Sequence, residues 1–163
     1  MKKVLIFGTF DGLHLGHLNF FEQAKEYGDY LIVVVARDKT VKRIKNRFPS
    51  NNEIERLRTL QRCKLIDEAR LGDENNPYII IREINPDVIC LGYDQRAFTE
   101  DLPKELEKMK LATKIYKMEP FQPEKYHSLI RRARAKPEDE ALASSTINSR
   151  RDKSLLHPSL RLG

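Results

Sequence analysis

The sequence predicts an α/β protein, a Rossmann-like open parallel sheet with helices on both faces. Short apolar runs alternate with charged segments of helical periodicity between residues 4 and 118. Three of these segments, at residues 4–7, 30–36 and 87–91, are apolar almost throughout rather than at every second position, which is typical of parallel strands buried on both faces. Two of the runs are followed closely by a glycine, Gly8 and Gly92, where the chain can turn without a Cβ.

The first predicted strand spans residues 4–7, an apolar run that follows two lysines. A helix is expected from about Leu13, because Leu18, Phe21 and Ala24 fall on one face and polar residues on the other. The second strand covers residues 30–36, which are rich in β-branched side chains. Residues 37–47 are expected to form a basic loop.

The remaining elements continue the alternation of strands and helices. Apolar residues recur at intervals of three in a charged segment and predict a helix, with Ile54, Leu57, Leu60 and Cys63 on its stripe. The segments that follow are a strand at 67–71, a helix at 77–84 with a proline in its first turn, a strand at 87–91, a helix at 103–111 and a strand at 113–118. Ligands of such sheets bind beyond the carboxyl ends of the strands, so residues 8–11 and 92–95 should converge on one crevice.

Composition predicts one cytoplasmic domain over residues 1–134. A chain of 163 residues suits a single core, and no apolar stretch approaches the roughly 20 residues of a membrane span. No secretory signal is visible, since the first apolar run is too short. Cys63 and Cys90 lie in apolar patterns, which predicts buried free thiols rather than a disulfide or a metal site.

The net charge of +6 favours polyanionic ligands. A nucleoside triphosphate fits this charge as well as nucleic acid does, and aromatic residues do not interleave with the scattered basic ones, so nucleic acid is the weaker interpretation. Residues 135–163 are rich in serine and arginine and are expected to form a polar basic tail outside the catalytic core.

Two histidines three residues apart stand at the predicted start of the first helix. His14 and His17 would lie side by side, over the unpaired N–H groups and positive dipole end that attract phosphate. Imidazole N–H groups could stabilise the charge that spreads over phosphate oxygens in nucleotidyl transfer, and Gly16 would keep the backbone open to the ligand. A local helix cap or a zinc pair are the alternatives, but zinc needs more ligands than this segment offers.

The segment Gly8-Thr9-Phe10-Asp11, followed by His14-Leu15-Gly16-His17, resembles the signature of the cytidylyltransferase-like nucleotidyltransferases. The resemblance covers approximately residues 2–132. It implies an enzyme that transfers AMP or CMP from a nucleoside triphosphate to a small phosphorylated acceptor and releases pyrophosphate, with the residues of the first segment at the nucleotide. It also implies Mg²⁺ as the counter-ion of the triphosphate, no metal held in a protein cage, and homodimers, which are common in the family.

Basic residues after the second strand match further elements of this family. Lys45 opens a Lys-x-Arg element, and the resemblance implies that Lys42 and Lys45 contact the β- and γ-phosphates, with Lys45 taking part in catalysis. A Glu-x-x-Arg step implies that Arg56 faces the acceptor phosphate. The alternative is a surface helix arginine paired with Glu53 or Glu55, which would contribute little.

The loop after the fourth strand carries Gly92, Tyr93, Asp94 and Gln95. The glycine permits close approach of a ligand, and the other three offer an aromatic face, an acceptor and an amide for a base or ribose. A plain turn is the alternative. In the family this loop belongs to the nucleotide site, and its form here resembles the branch of the FAD synthases and glycerol-3-phosphate cytidylyltransferases.

The family also carries a late hydroxyl-rich element that ends in Ile-Arg and binds the triphosphate. Ser128 and Arg131 have the required spacing, although His127 stands where a hydroxyl is usual. The segment 144–146 is richer in hydroxyls but lacks the arginine, so we assign Ser128 and Arg131 to the triphosphate.

Taken together, these motifs look most like FAD synthase, with ATP as donor and FMN as acceptor. A cytidylyltransferase acting on glycerol 3-phosphate or a related phospho-alcohol is the first alternative. A non-catalytic nucleotide-binding regulatory module is the second, and the two intact histidines count against it.

Overall fold

The computed structural model describes residues 1–121, which contain five strands and five helices. The strands are β1 (Lys3–Gly8), β2 (Tyr30–Val35), β3 (Glu68–Leu71), β4 (Val88–Leu91) and β5 (Lys114–Lys117). The helices are α1 (Leu15–Lys25), α2 (Asp38–Lys45), α3 (Glu53–Gln61), α4 (Tyr78–Ile84) and α5 (Leu102–Lys108). All five predicted strands are present, with ends that differ from the predicted ends by one residue or less.

The strands form one parallel sheet in the order β3-β2-β1-β4-β5. From β1 the chain moves outward to β2 and β3, then returns past β1 to build β4 and β5 on the other side. The carboxyl ends of β1 and β4 are therefore neighbours at the point where the strand order reverses, which is where open sheets of this kind hold ligands. The predicted convergence of residues 8–11 and 92–95 follows from this order.

Helices cover both faces of the sheet, as predicted. On one face α1 and α3 bury Leu18, Phe21 and Leu60 against the strands, and on the other α4 and α5 bury Ile81 and Leu102. Successive residues of β1 supply both cores: Val4 and Ile6 pack in the first, Leu5 and Phe7 in the second. This double burial explains the uninterrupted apolar run, since each such side chain contributes about 1.5–3 kcal/mol when fully buried.

The prediction of a basic loop at residues 37–47 is wrong, because Asp38–Lys45 is the helix α2. Val41 is its one buried residue, and Ile44 is the one other apolar residue at helical spacing, so the apolar pattern is too short to indicate a helix. Charge favours the helix instead: Asp38 lies in the first turn, and Lys42, Arg43 and Lys45 lie in the last, each complementing the helix dipole. A left-handed Asn46 ends it.

The two cysteines are buried free thiols, as predicted. Burial raises the pKa of Cys63 to about 11 and the pKa of Cys90 to about 12, so both stay protonated at neutral pH. None of the helices within residues 1–121 is long and apolar enough to cross a bilayer. The predicted triphosphate ligands Ser128 and Arg131, the competing segment 144–146 and the tail 135–163 lie outside the described residues.

Replacing Asn52 with alanine should destabilise the fold by about 1 kcal/mol. The Asn52 side chain accepts a hydrogen bond from the Glu55 backbone N–H at 2.9 Å, and the Glu55 carboxylate accepts one from the Asn52 N–H at 3.4 Å. This capping box starts α3. Urea unfolding would measure the loss, with Gln61→Ala at the exposed end of the same helix as control. Equal losses in the two variants would contradict the role of the cap.

Candidate active site

The site begins with the turn that leaves β1. A Cβ on Gly8 would lie 2.6 Å from the ring of Phe10, so only glycine lets this ring fold back over the strand end. Phe10 has a φ of 53°, is 4% exposed, and packs between Phe21 and His17, each with ring centroids 5.4 Å from its own. The turn is thus anchored in the core, and the ring of Phe10 packs against one side of the His17 ring.

The two histidines cap the helix that follows the turn. His14 is the N-cap of α1, and its Nδ1 accepts a hydrogen bond from the Gly16 N–H at 3.1 Å. The Nδ1 of His17 accepts from the His14 N–H at 3.3 Å, which completes a reciprocal capping box made of imidazoles. A Cβ on Gly16 would lie 2.9 Å from His14 Cε1. Gly16 therefore makes room for the capping ring, a role that the sequence analysis did not foresee.

The cap decides where each imidazole carries its proton. Because both Nδ1 atoms accept hydrogen bonds, a neutral ring of His14 or His17 must hold its hydrogen on Nε2. The rings are stacked, with centroids 3.8 Å apart and planes 24° apart. Capping and phosphate binding are therefore compatible: the cap uses Nδ1, and the Nε2–H groups remain as donors.

Charge and burial keep His17 neutral. Burial lowers the pKa of His17 to about 4, and the charges of His14 and Lys45 act in the same direction. At neutral pH His17 is thus a hydrogen-bond donor without a net charge.

Of the two lysines predicted at the phosphates, the structure brings one to the motif. Lys45 donates from Nζ to Thr9 Oγ1 at 3.3 Å, so α2 delivers a cation to the turn after β1. Lys42 instead donates to the carbonyl of Asn46 at 3.3 Å, at the end of its own helix, and its Nζ lies 5.7 Å from the centroid of the Phe48 ring.

The buried side chain of Arg56 links several of these segments through hydrogen bonds. It is 1% exposed and donates hydrogen bonds to four protein acceptors. The acceptors are the carbonyls of Thr9 (2.8 Å), Ala36 (2.8 Å) and Asn51 (3.0 Å), and Oδ1 of Asp38 (2.7 Å). The alternative of a surface arginine paired with Glu53 or Glu55 is therefore wrong. Four of the five N–H groups of the guanidinium are used within the protein, so its geometry is that of a positioning side chain.

Glu53 fastens the start of α2 to the start of α3. Its carboxylate accepts from the Asp38 N–H at 2.9 Å and from Arg37 Nε at 2.8 Å, and its own N–H donates to Asp38 at 3.2 Å. The sequence analysis did not select Asp38 or Glu53 as site residues. The available signal was an aspartate placed just after a strand and a glutamate at the start of the Glu-x-x-Arg step.

Asp11 holds the segment between α2 and α3. Its carboxylate accepts from the Ser50 N–H at 2.7 Å and the Asn51 N–H at 2.9 Å. Burial acts to raise the pKa of Asp11, but the hydrogen bonds from Asn51 and Ser50 outweigh it and hold the pKa below the ordinary value. Asp11 is thus ionised and already bonded to the loop that follows Lys45.

The second half of the crevice is the loop after β4. Gln95 closes it, because its side-chain Oε1 accepts from the Gly92 N–H at 3.2 Å and its own N–H donates to the Gly92 carbonyl at 3.1 Å. Tyr93 and Asp94 are exposed. A Cβ on Gly92 would meet nothing nearer than 3.6 Å, so packing does not require glycine there.

A glycine turn and a histidine-capped helix at the reversal point of a parallel sheet define a nucleotide-binding α/β protein. The cytidylyltransferase-like family model matches residues 5–148. This chain therefore belongs to the cytidylyltransferase-like family, which confirms the resemblance found in its motifs.

Two similar sequences and one solved structure show which members of the family this chain resembles. The FAD synthase of Ferroglobus placidus is 46% identical over 72% of this chain and 76% of that protein, and the FAD synthase of Methanosarcina mazei is 44% identical over 72% and 77%. A crystal structure described as the lipopolysaccharide core biosynthesis protein of Thermoplasma volcanium has a TM-score of 0.71 at 37% identity, covering 75% of this chain and 99% of that one.

Replacing Arg56 with alanine should lower the free energy of unfolding by about 3–5 kcal/mol, because it leaves Asp38 and three carbonyls without their buried donor. Arg58→Ala removes an exposed arginine from the same helix and should change stability by less than about 0.5 kcal/mol. Chemical denaturation of both variants would measure the difference. Similar free energies of unfolding for the two variants would show that Arg56 does not hold these segments together.

The low pKa of His17 should make stability depend on pH. Between pH 6.5 and about 4 the unfolded chain takes up a proton on His17 that the folded protein does not, so the free energy of unfolding falls as the pH falls through this window. His17→Asn keeps an acceptor near the Nδ1 position but cannot titrate. The stability of the wild type relative to this variant should therefore decline, by at most about 1.4 kcal/mol per pH unit. An NMR titration midpoint for His17 near 6.5 would contradict this.

Proposed function

We propose that the protein is an FMN adenylyltransferase, an FAD synthase that joins ATP and FMN into FAD and pyrophosphate. The observation that carries the proposal is the pair of imidazoles on a helix start, whose Nδ1 atoms are used by the cap and whose Nε2–H groups remain as donors, with Lys45 beside them, in a chain 46% identical to a FAD synthase. An oxygen of the FMN phosphate attacks the α-phosphorus of ATP. The bond from this phosphorus to the oxygen that bridges to the β-phosphate breaks, and pyrophosphate leaves.

The histidines would act on the phosphorus under substitution. Charge grows on its oxygens in the transition state, and the Nε2–H groups of His14 and His17 are fixed donors for that charge, supported by the positive end of α1. Because both rings are held by the cap, they lose little freedom when the substrate binds. No covalent intermediate is needed.

The lysines would neutralise the leaving pyrophosphate. Lys45 is already at Thr9, and Lys42 would have to turn from the Asn46 carbonyl to reach the β- and γ-phosphates. We propose that Arg56 serves the acceptor indirectly, by setting Thr9 and the start of α2, rather than as the phosphate ligand that the family resemblance implied.

The other nucleotide contacts remain part of the proposal. Gly92, Tyr93, Asp94 and Gln95 would contact the adenosine, and the backbone of residues 8–11 would approach the phosphates. Ser128 and Arg131 would bind the triphosphate. The position of Phe121, whose Cβ lies 3.9 Å from the point a Gly16 Cβ would occupy, supports this, because it brings the last described residue close to the histidine-capped helix start.

Magnesium would enter with the nucleotide, as MgATP. Within residues 1–121 no group of three His, Cys, Asp or Glu side chains could hold a metal ion. The oxygens of Asp11 already accept N–H groups. These residues do not fit a resident metal, so we propose that the ion is bound through phosphate oxygens. A cytoplasmic homodimer is also proposed, to be tested by sedimentation.

Substrate competition tests the function directly. Incubation with α-labelled ATP or CTP and with FMN, glycerol 3-phosphate or phosphoethanolamine should give labelled FAD and pyrophosphate with ATP and FMN alone. Product from CTP and glycerol 3-phosphate would instead make the protein a cytidylyltransferase. Nucleotide binding without product from any pair would favour a regulatory module.

Two substitutions at His14 separate its cap from its chemistry. His14→Asn keeps an acceptor near the Nδ1 position but removes the Nε2–H donor, so turnover should fall by at least about 100-fold with stability nearly unchanged. His14→Gln keeps a donor near Nε2 but loses the cap, so it should lose stability and retain more activity. Steady-state kinetics and thermal unfolding would measure both. An Asn variant as active as the wild type would exclude the donor role.

A further inference from the structure

The loop after β4 is held in place at Phe98, a residue to which the proposed function assigns no role. Phe98 has a φ of 53°, in the left-handed region. Its ring lies edge-on to Phe7, with centroids 5.0 Å apart, and edge-on to Tyr78, with centroids 6.0 Å apart. The hydroxyl of Tyr78 donates a hydrogen bond to the Phe98 carbonyl at 2.8 Å.

A bulky aromatic residue adopts this backbone conformation only where its surroundings impose it. Here Tyr78 holds both the ring and the carbonyl of Phe98. The Thr99 carbonyl at the end of this stretch accepts from the Leu102 N–H at 3.3 Å, and the hydrogen bonds of Gly92, Gln95 and Arg96 within the described residues are internal to the stretch. Within the described part of the chain, the contact of Phe98 with Tyr78 and Phe7 therefore holds this loop to the body of the protein before the chain reaches α5.

We propose that Tyr78 and Phe98 are positioning residues that hold the loop 92–95 in its nucleotide-binding shape. This inference rests on the proposed function, in which that loop contacts the adenosine. Phe98 lies three residues beyond Gln95, and Phe7 directly precedes Gly8 in β1. The contact thus fixes the loop to the strand that carries the histidine motif, from the opposite face of the sheet.

The expected signature is a loss of nucleotide affinity. A loop that is already ordered loses less conformational entropy when a ligand binds than a loop that must be ordered at that moment. Loosening the contact should therefore raise KM for ATP. It should leave KM for FMN and kcat nearly unchanged, because His14, His17 and Lys45 do not touch these residues in the structure.

Tyr78→Phe is the first test, since it keeps the ring and removes the hydrogen bond. KM for ATP should rise about three- to tenfold, the range expected for one net hydrogen bond. Tyr30→Phe is the matched control: its hydroxyl donates to Glu68 at 3.2 Å, between β2 and the edge strand β3, and its loss should leave KM unchanged. Equal effects of the two substitutions would overturn the proposal.

Two substitutions at Phe98 separate the ring from the backbone conformation. Asparagine tolerates the left-handed region but has no ring, so Phe98→Asn should weaken nucleotide binding. Phe98→Tyr keeps the ring and should bind like the wild type. If Phe98→Asn binds as tightly as the wild type, the aromatic contact does not position the loop.

Binding must also be measured without turnover. Calorimetric titration with a non-hydrolysable ATP analogue gives the affinity, and hydrogen exchange of residues 92–99 should be faster in Tyr78→Phe and Phe98→Asn. A wild type that binds the analogue but makes no FAD would refute the proposed function alone. Unchanged affinity and exchange in both variants would refute the positioning role alone.

Discussion

The geometry of the crevice depends on one buried guanidinium. Arg56 donates to carbonyls at the ends of β1 and β2, to the turn before α3 and to the first residue of α2. A buried cation is tolerated only where several acceptors surround it, so the four segments and the arginine fix one another. Lys45 reaches Thr9 because the helix that carries it is fastened at this point.

The histidine pair shows how one side chain can serve both structure and chemistry. Each Nδ1 satisfies a backbone N–H at the start of α1, and each Nε2 is left with the hydrogen that a phosphate oxygen would accept. A lysine or arginine at these positions has no acceptor atom and could not close the helix end. The need for a group that both accepts and donates thus favours histidine at the two places.

Local patterns predicted most of the fold, and distant contacts explain what they missed. The strands were readable because residues such as Val4 and Leu5 are buried on opposite faces. The helix α2 was not, because Val41 alone marks its inner side. The partners of Arg56 lie as far as 47 residues away in sequence, so no local spacing could show that they meet around it.

The strand order also has a consequence for how the molecule is made. Val4 of β1 pairs with Val88 of β4, 84 residues later, and that pairing creates the crevice. Contacts between residues so far apart close slowly, because a long chain must first be brought together. During synthesis β1 can pair first with β2. Its second neighbour, β4, becomes available only after most of the domain has left the ribosome.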